Sequence, residues 1–223
     1  MVFVNRLHEW PESAEEAVAI QERLRPLVVL NEPGPDEVEL VAGLDVGYAK
    51  DTDDLMAVAV VLSASALEVV DQAVVARRAT FPYIPGLFAF RELPPLVEAL
   101  ERLRTTPDLI LCDGYGTAHP RRFGLACHVG VLTGLPTIGV AKTPFLFDHD
   151  PPEPKRGAWT PLLDTHEIVG RALRTRSTVK PVFVSQGNRI GLDNACRHVL
   201  RLAPAYRLPE PIRQADRLSR TPT

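Results

Sequence analysis

The chain has 223 residues, 45% hydrophobic and 24% charged, with a formal net charge of −3. That suffices to bury one sizeable core, expected as one soluble domain over 1–223, and nothing in it suggests disorder. No apolar stretch approaches the roughly 20 residues of a membrane-spanning helix and the N-terminus carries no apolar signal core, so a cytoplasmic protein without membrane association is expected.

"SAEEAVAIQERLRPLV" (13–28) opens a helix, with Ser13 and Glu16 at capping-box spacing. "NEPGP" (31–35) is a loop. "VAGLDVGYA" (41–49), "LMAVAVVLS" (55–63) and "LEVVDQAVVARRA" (67–79) are β-like apolar runs parted by short polar turns, the pattern of an antiparallel meander. "GLFAFRELPPLVEALERLR" (86–104) has helical spacing, with Pro94 and Pro95 dividing it into two helices. "DLILCD" (108–113) is a strand, "RRFGLACHVGVLTG" (121–134) a helix closed by Gly134, and "PTIGVAK" (136–142) another strand. "DHDPPEPKRG" (148–157) is a loop and "KPVFVSQGN" (180–188) a strand or hairpin arm. Asp193 is expected to cap a helix over "NACRHVLRLA" (194–203), and "LPEPIRQADRLSR" (208–220) is a last short helix. Strands come first and then alternate with helices, which predicts a mixed α/β sheet covered by helices. Cys112, Cys127 and Cys196 lie in apolar patterns without metal-ligand spacing and are expected to be small core residues.

Charge is divided unevenly along the chain. Residues 1–154 hold 12 Lys/Arg against 23 Asp/Glu, a net −11, and residues 155–223 hold 13 against 5, a net +8. The division fits an acidic, metal-binding centre beside a phosphate-binding face built from Lys155, Arg156, Arg171, Arg174, Arg176, Lys180 and Arg189. It fits equally a surface on which charge is spread unevenly.

Asp113 ends the apolar run "LILC", and Asp45 lies inside "VAGLDVGYA". Ionised carboxylates among apolar neighbours are costly unless paired or bound to a cation. Two of them on neighbouring strands repel, and a divalent cation removes the repulsion. Oxygen-only ligation suits Mg²⁺, with Mn²⁺ as a substitute. Taken singly, each candidate also has a simpler role. Asp45 and Asp113 fit turn aspartates, Glu92 an exposed helix carboxylate, and His119 a turn residue before Pro120. Lys142 fits a solvated strand end, and Tyr83 in "FPYIPGLF" a core or rim tyrosine.

Four blocks occur in order: "GLDVGY" (43–48), "FPYIPGLFAFRE" (81–92), "LILCDGYGTAHPRRFGLACHVG" (109–130) with "PTIGVAK" (136–142), and "VFVSQGNRIGLDNA" (182–195). With them the chain resembles the endonuclease V family, the deoxyinosine-directed nucleases, from about Arg23 to the final helix. The resemblance implies a ribonuclease H-like fold. It also implies Mg²⁺-dependent hydrolysis of the second phosphodiester bond 3′ to a deoxyinosine, leaving 3′-hydroxyl and 5′-phosphate ends and starting repair of deaminated adenine. Asp45 and Asp113 match the family's metal-binding aspartates, and Glu92 its helix-borne metal-site glutamate. His119 matches a histidine beside the scissile phosphate, and Lys142 the lysine closing the fifth core strand. Asp216 falls where such nucleases place a fourth carboxylate, although an ordinary helix ion pair would look the same.

Tyr83 matches a wedge that fills the stack vacated by an everted base, and Gly86, Gly114 and Gly139 match small positions around a hypoxanthine pocket. Asn188 stands where many relatives have histidine, so the resemblance assigns that side chain no role. The implied partner is inosine-containing DNA, single- or double-stranded, acted on by a monomer. Inosine-containing RNA is a second reading that no residue here separates from the first. A non-cleaving inosine-binding protein and a metal-dependent phosphatase are alternatives of other kinds, and the presence of Asp45, Glu92 and Asp113 together favours the nuclease.

Overall fold

Apolar alternation between residues 40 and 78 folds into an antiparallel meander in the computed structural model, which describes residues 1–50 and 52–220. Its strands are β1 (Leu40–Tyr48), β2 (Asp54–Ser63) and β3 (Val69–Arg78). β1 also pairs in parallel with β4 (Leu109–Asp113), and β4 with β5 (Thr137–Ala141). Parallel neighbours need long crossovers. Helix α2 (Phe88–Arg102) lies in the stretch leading to β4, and α3 (Leu125–Thr133) joins β4 to β5. An antiparallel strand β8 (Val182–Asn188) and the hairpin β6 (Trp159–Asp164) and β7 (Glu167–Leu173) complete the sheet, in the order β3-β2-β1-β4-β5-β8-β7-β6. This is the expected ribonuclease H-like mixed sheet flanked by helices. The remaining helices are α1 (Ala14–Leu24), α4 (Leu192–Arg201) and α5 (Glu210–Ser219).

Each sheet face carries its own apolar layer. Ala42, Leu44, Ile110 and Cys112 pack against α2 and α3, while Val41, Leu109 and Leu111 pack against α4 and α5. Strand alternation therefore puts Gly43, Asp45 and Gly47 on the α5 face with Val41. The two glycines let α5 lie directly on the strand. A Cβ at residue 43 would fall 2.2 Å from the Pro211 carbonyl, and one at residue 47 would fall 2.2 Å from the Ser219 oxygen. Asp45 is held between these two contact points, under the end of α5.

The structure departs from the expected elements at four places. The segment around Pro94 and Pro95 is one helix, not two. Each interior proline costs roughly 3 kcal/mol. The buried side chains of Phe90, Leu93, Leu96 and Leu100 contribute roughly 2 kcal/mol apiece and outweigh that cost. Helix α3 starts at Leu125, after Arg122 has turned the chain through a left-handed conformation at φ 54°. Gly191, not Asp193, is the N-cap of α4; Asp193 lies in the first turn, where its charge suits the helix dipole, and it pairs with Arg171 at 2.6 Å. The β6–β7 hairpin falls where no strand was expected, its pattern interrupted by Pro161 and by a register shift between Leu162 and Leu163. Ser13 does cap α1, accepting from the Glu16 amide at 3.1 Å. All three cysteines are buried and free. Among the described residues no helix is long and apolar enough to cross a membrane.

Asn188 is a buried bolt. Its Oδ1 accepts from the Val29 amide at 2.9 Å, and its Nδ2 donates to the carbonyls of Gly130 (3.1 Å) and Leu135 (3.3 Å). Asn188→Ala leaves these backbone groups unpaired and should cost about 1–3 kcal/mol. Urea unfolding checks this: the midpoint should fall at unchanged slope, and an unmoved midpoint would refute the role.

Candidate active site

Strand register assembles the acids. Leu44 and Cys112 form the last paired step of the parallel β1–β4 ladder, so Asp45 and Asp113 follow side by side. Asp113 pairs with Val140 on β5, and Lys142 comes two residues further on the same side. Helix α5 adds Asp216. Carboxylate oxygens of Asp45, Asp113 and Asp216 lie within 4.8 Å of one another. Glu92 reaches the same place from α2, and with the aspartates and Lys142 it lines an open cavity of about 460 Å³.

The like charges perturb one another. Burial, followed by repulsion from Asp113, pushes Asp45 up to about 7, although Ser219 Oγ donates to its Oδ2 at 2.6 Å. Burial likewise pushes Glu92 up to about 7; the hydrogen bond from the Tyr48 hydroxyl at 2.7 Å opposes this, and repulsion from Asp45 and Asp113 adds to it. Lys142 Nζ lies 2.6 Å from Asp113 and 2.9 Å from Asp216. Burial works against its charge, but the two aspartates hold the ammonium above its usual value. Asp216 is itself partly buried, and Lys142 with Arg220 brings its carboxyl below the ordinary range. Three convergent carboxylates, all oxygen donors and only partly neutralised by one lysine and one arginine, fit a hard divalent cation.

A second cavity of about 270 Å³ shares Glu92, Asp113 and Lys142 with the first and continues past Gly86, Phe88, Gly114, Tyr115, His119 and Phe145. Tyr83 is 68% exposed on the rim, its ring 4.2 Å from that of Phe88. Gly139 is placed behind this cavity rather than in its lining, because its missing Cβ would fall 2.4 Å from the Gly116 nitrogen. It lets the 114–116 loop lie on β5. His119 Nδ1 accepts from the Arg121 amide at 3.2 Å, which assigns the proton to Nε2 and makes that nitrogen a donor to the Gly86 carbonyl at 2.9 Å. Burial lowers its pKa to about 4. The ring is neutral at pH 7, and both nitrogens are already engaged with the chain's own backbone.

The sequence pattern of the Endonuclease V family matches residues 22–217. The chain belongs to the Endonuclease V family. It is 59% identical to the Endonuclease V of Streptomyces coelicolor over 212 residues, 95% of this chain and 91% of that protein. The crystal structure of the Streptomyces avermitilis Endonuclease V superposes with a TM-score of 0.91 at 55% identity, covering 98% of this chain and 96% of that one. The Ciona intestinalis Endonuclease V, crystallised with a 24-mer DNA containing an inosine followed by a ribo-adenosine, superposes at 0.80 with 29% identity, covering 94% and 97%. Endonuclease V proteins are metal-dependent nucleases that hydrolyse phosphodiester bonds, and this chain is one of them.

Several residues of this Endonuclease V site escaped the sequence reading. Tyr48 and Ser219 are partners of Glu92 and Asp45; the signal for Tyr48 is its place at the end of the block "GLDVGY", and that for Ser219 its position three residues after Asp216, on the same helix face. Of the expected phosphate contacts, Arg156 donates to the carbonyls of Leu200 and Ala203, and Arg174 to those of Pro152 and Glu153. Arg171 stacks on Trp159 at 3.8 Å, and Arg189 pairs with Glu32. These four hold the fold together, while Lys155, Arg176 and Lys180 are exposed.

Asp45 and Glu92 bind protons more tightly folded, near 7, than unfolded, near 4. Their contribution to stability is full below about pH 4 and is lost as the pH rises to about 7. In EDTA, the melting temperature relative to Asp45→Asn should therefore decline from pH 5 to pH 8, and Mg²⁺ should stabilise more as pH rises because it displaces protons. Parallel curves for wild type and Asp45→Asn would refute this assignment.

Proposed function

We propose that this Endonuclease V recognises an inosine base in DNA and hydrolyses the second phosphodiester bond on its 3′ side, starting repair of deaminated adenine. One observation carries the reading: Glu92, Asp113 and Lys142 line both the acidic cavity and the smaller cavity beside Tyr83. A base everted into the smaller cavity brings the phosphates that follow it along the strand to the acids. The inosine-containing DNA held by the Ciona intestinalis relative supports the choice of ligand.

Asp45, Asp113 and Asp216 would hold a divalent cation, Mg²⁺ with Mn²⁺ as substitute, and Glu92 would complete its surroundings. When bound, such an ion polarises a phosphoryl oxygen and eases deprotonation of the attacking water. Ser219 and Tyr48 orient Asp45 and Glu92, leaving one oxygen of each for this work. The ammonium of Lys142, already between Asp113 and Asp216, supplies positive charge for the phosphate or for the attacking water. Water adds to phosphorus, the bond to the 3′-oxygen breaks, and the departing oxygen takes up a proton. His119 holds the Gly86 loop rather than donating that proton, since its acceptor nitrogen is filled and it is neutral. Tyr83, on a loop stiffened by Pro82 and Pro85, fills the gap in the stack, worth about 1–3 kcal/mol per base.

The test uses end-labelled strands carrying one deoxyinosine, one riboinosine or neither, with Mg²⁺ or EDTA. Mg²⁺-dependent cutting one nucleotide beyond deoxyinosine is expected, and Asp113→Ala should abolish it while retaining binding of the deoxyinosine strand. Cutting of the riboinosine strand alone would move the substrate to RNA, and full cutting by Asp113→Ala would overturn the acidic centre. Tyr83→Ala should lower the preference for inosine over adenine strands by about tenfold and leave the Mg²⁺ requirement in place; competition between the two strands reads this directly, and equal preference with wild type sinks the wedge.

A further inference from the structure

Gly86 lies where the exposed Tyr83 segment turns into α2, and its carbonyl is unusually occupied. It accepts from Arg121 Nη2 at 2.8 Å, His119 Nε2 at 2.9 Å and Gln21 Nε2 at 3.1 Å. A carbonyl has two lone pairs, so three donors, one of them a guanidinium, saturate it. They come from two separate stretches of chain. Gln21 stands on α1, and His119 with Arg121 stands on the loop after β4.

We infer that Gln21, acting through Arg121 and the Gly86 carbonyl, is a positioning residue for base selection. The inference rests on the reading that an inosine base enters the cavity beside Gly86. Gln21 is 1% exposed. It donates a second hydrogen bond to the Phe123 carbonyl at 3.2 Å, and its Oε1 accepts from Arg121 Nε at 2.5 Å, so every polar atom of the amide is used. A glutamine on a helix face otherwise buried through Ala17 and Leu24 is a costly choice where leucine would pack. The cost is offset only through a fully satisfied network, and this network ends on one atom of the pocket wall.

Two consequences follow for recognition. Gly86 belongs to the segment before α2 and His119 with Arg121 to the loop that begins at Gly114; Gly86 and His119 both line the cavity, so the clamp fixes these two parts of its wall against each other. Gly86 has φ +78°, and a Cβ there would fall 3.1 Å from Arg121 Nη2, so the backbone is held where only glycine is at ease. The saturated carbonyl also has no lone pair left for an incoming amino group. Guanine carries an exocyclic amino group at C2 that loses its water partner on entering such a wall, whereas hypoxanthine, otherwise identical, carries a hydrogen there. Discrimination then comes from withholding an acceptor as much as from contacts made.

The test compares wild type with Gln21→Met, which keeps the side chain's length without hydrogen bonds, and Gln21→Glu, which keeps the acceptor for Arg121 and loses both donors. Arg121→Lys, altered at the partly exposed end of the network, serves if neither Gln21 variant folds. Steady-state cleavage is measured on strands differing only in deoxyinosine or deoxyguanosine at one position. The ratio of kcat/KM for the two strands should fall about tenfold, with KM for the deoxyinosine strand rising by a larger factor than kcat falls. A merely structural role would lower the melting temperature and reduce cutting of both strands alike, and that result, or a wild-type ratio in a folded variant, overturns the inference. If wild type itself shows no preference for deoxyinosine, the base-pocket reading fails and takes this inference with it.

Discussion

Mutual repulsion among Asp45, Asp113 and Asp216 is the constraint around which this part of the molecule is built, because their oxygens converge to within 4.8 Å where α5 meets β1 and the end of β4. Such a cluster persists in the folded state only if the backbone leaves it no way to relax. Gly43 and Gly47 bring α5 down onto β1 on either side of Asp45, and in-register β4 fixes Asp113 alongside. Lys142 and Arg220 offset part of the charge. Burial, with the remaining repulsion, pushes Asp45 and Glu92 up to about 7, so a bound cation would displace protons there.

A nuclease that selects by base must couple that charged cluster to a site of opposite character. Here the coupling is architectural. Strand β4 delivers Asp113 to the acids, and the loop leaving it delivers Gly114, Tyr115 and His119 to the second cavity. Helix α2 delivers Phe88 to that cavity and, one turn later, Glu92 to both. The shared elements tie the two sites together, which is what the proposed cutting at a fixed distance from a recognised base requires.

Departures from the sequence reading share a cause. Pro94 and Pro95 break helices by local rules, yet α2 continues through them because its buried face outweighs the local cost. The resemblance places His119 beside the scissile phosphate and gives Asn188 no role; both are buried and spend their polar atoms on the chain's own backbone. Four of the seven expected phosphate contacts are likewise engaged within the fold, Arg156 bonding two backbone carbonyls and Arg174 three. Long-range backbone groups that need partners are invisible in a linear pattern, so their claims on polar side chains are too.

The sequence by itself determined the meander, the alternation that follows it, the two aspartates on apolar strands and the family, because strand periodicity and long ordered motif blocks are local properties of the chain. Gly43, Asp45 and Gly47 were already on one face by period two alone. Tertiary structure alone decided that Ser219 and Tyr48 are the partners of Asp45 and Glu92, that Gly139 supports a loop rather than lining a cavity, and that Gln21 reaches a carbonyl 65 positions away. Those facts depend on which surfaces meet when helices settle on the sheet, and no spacing along the chain encodes the distance between two elements that touch only after folding.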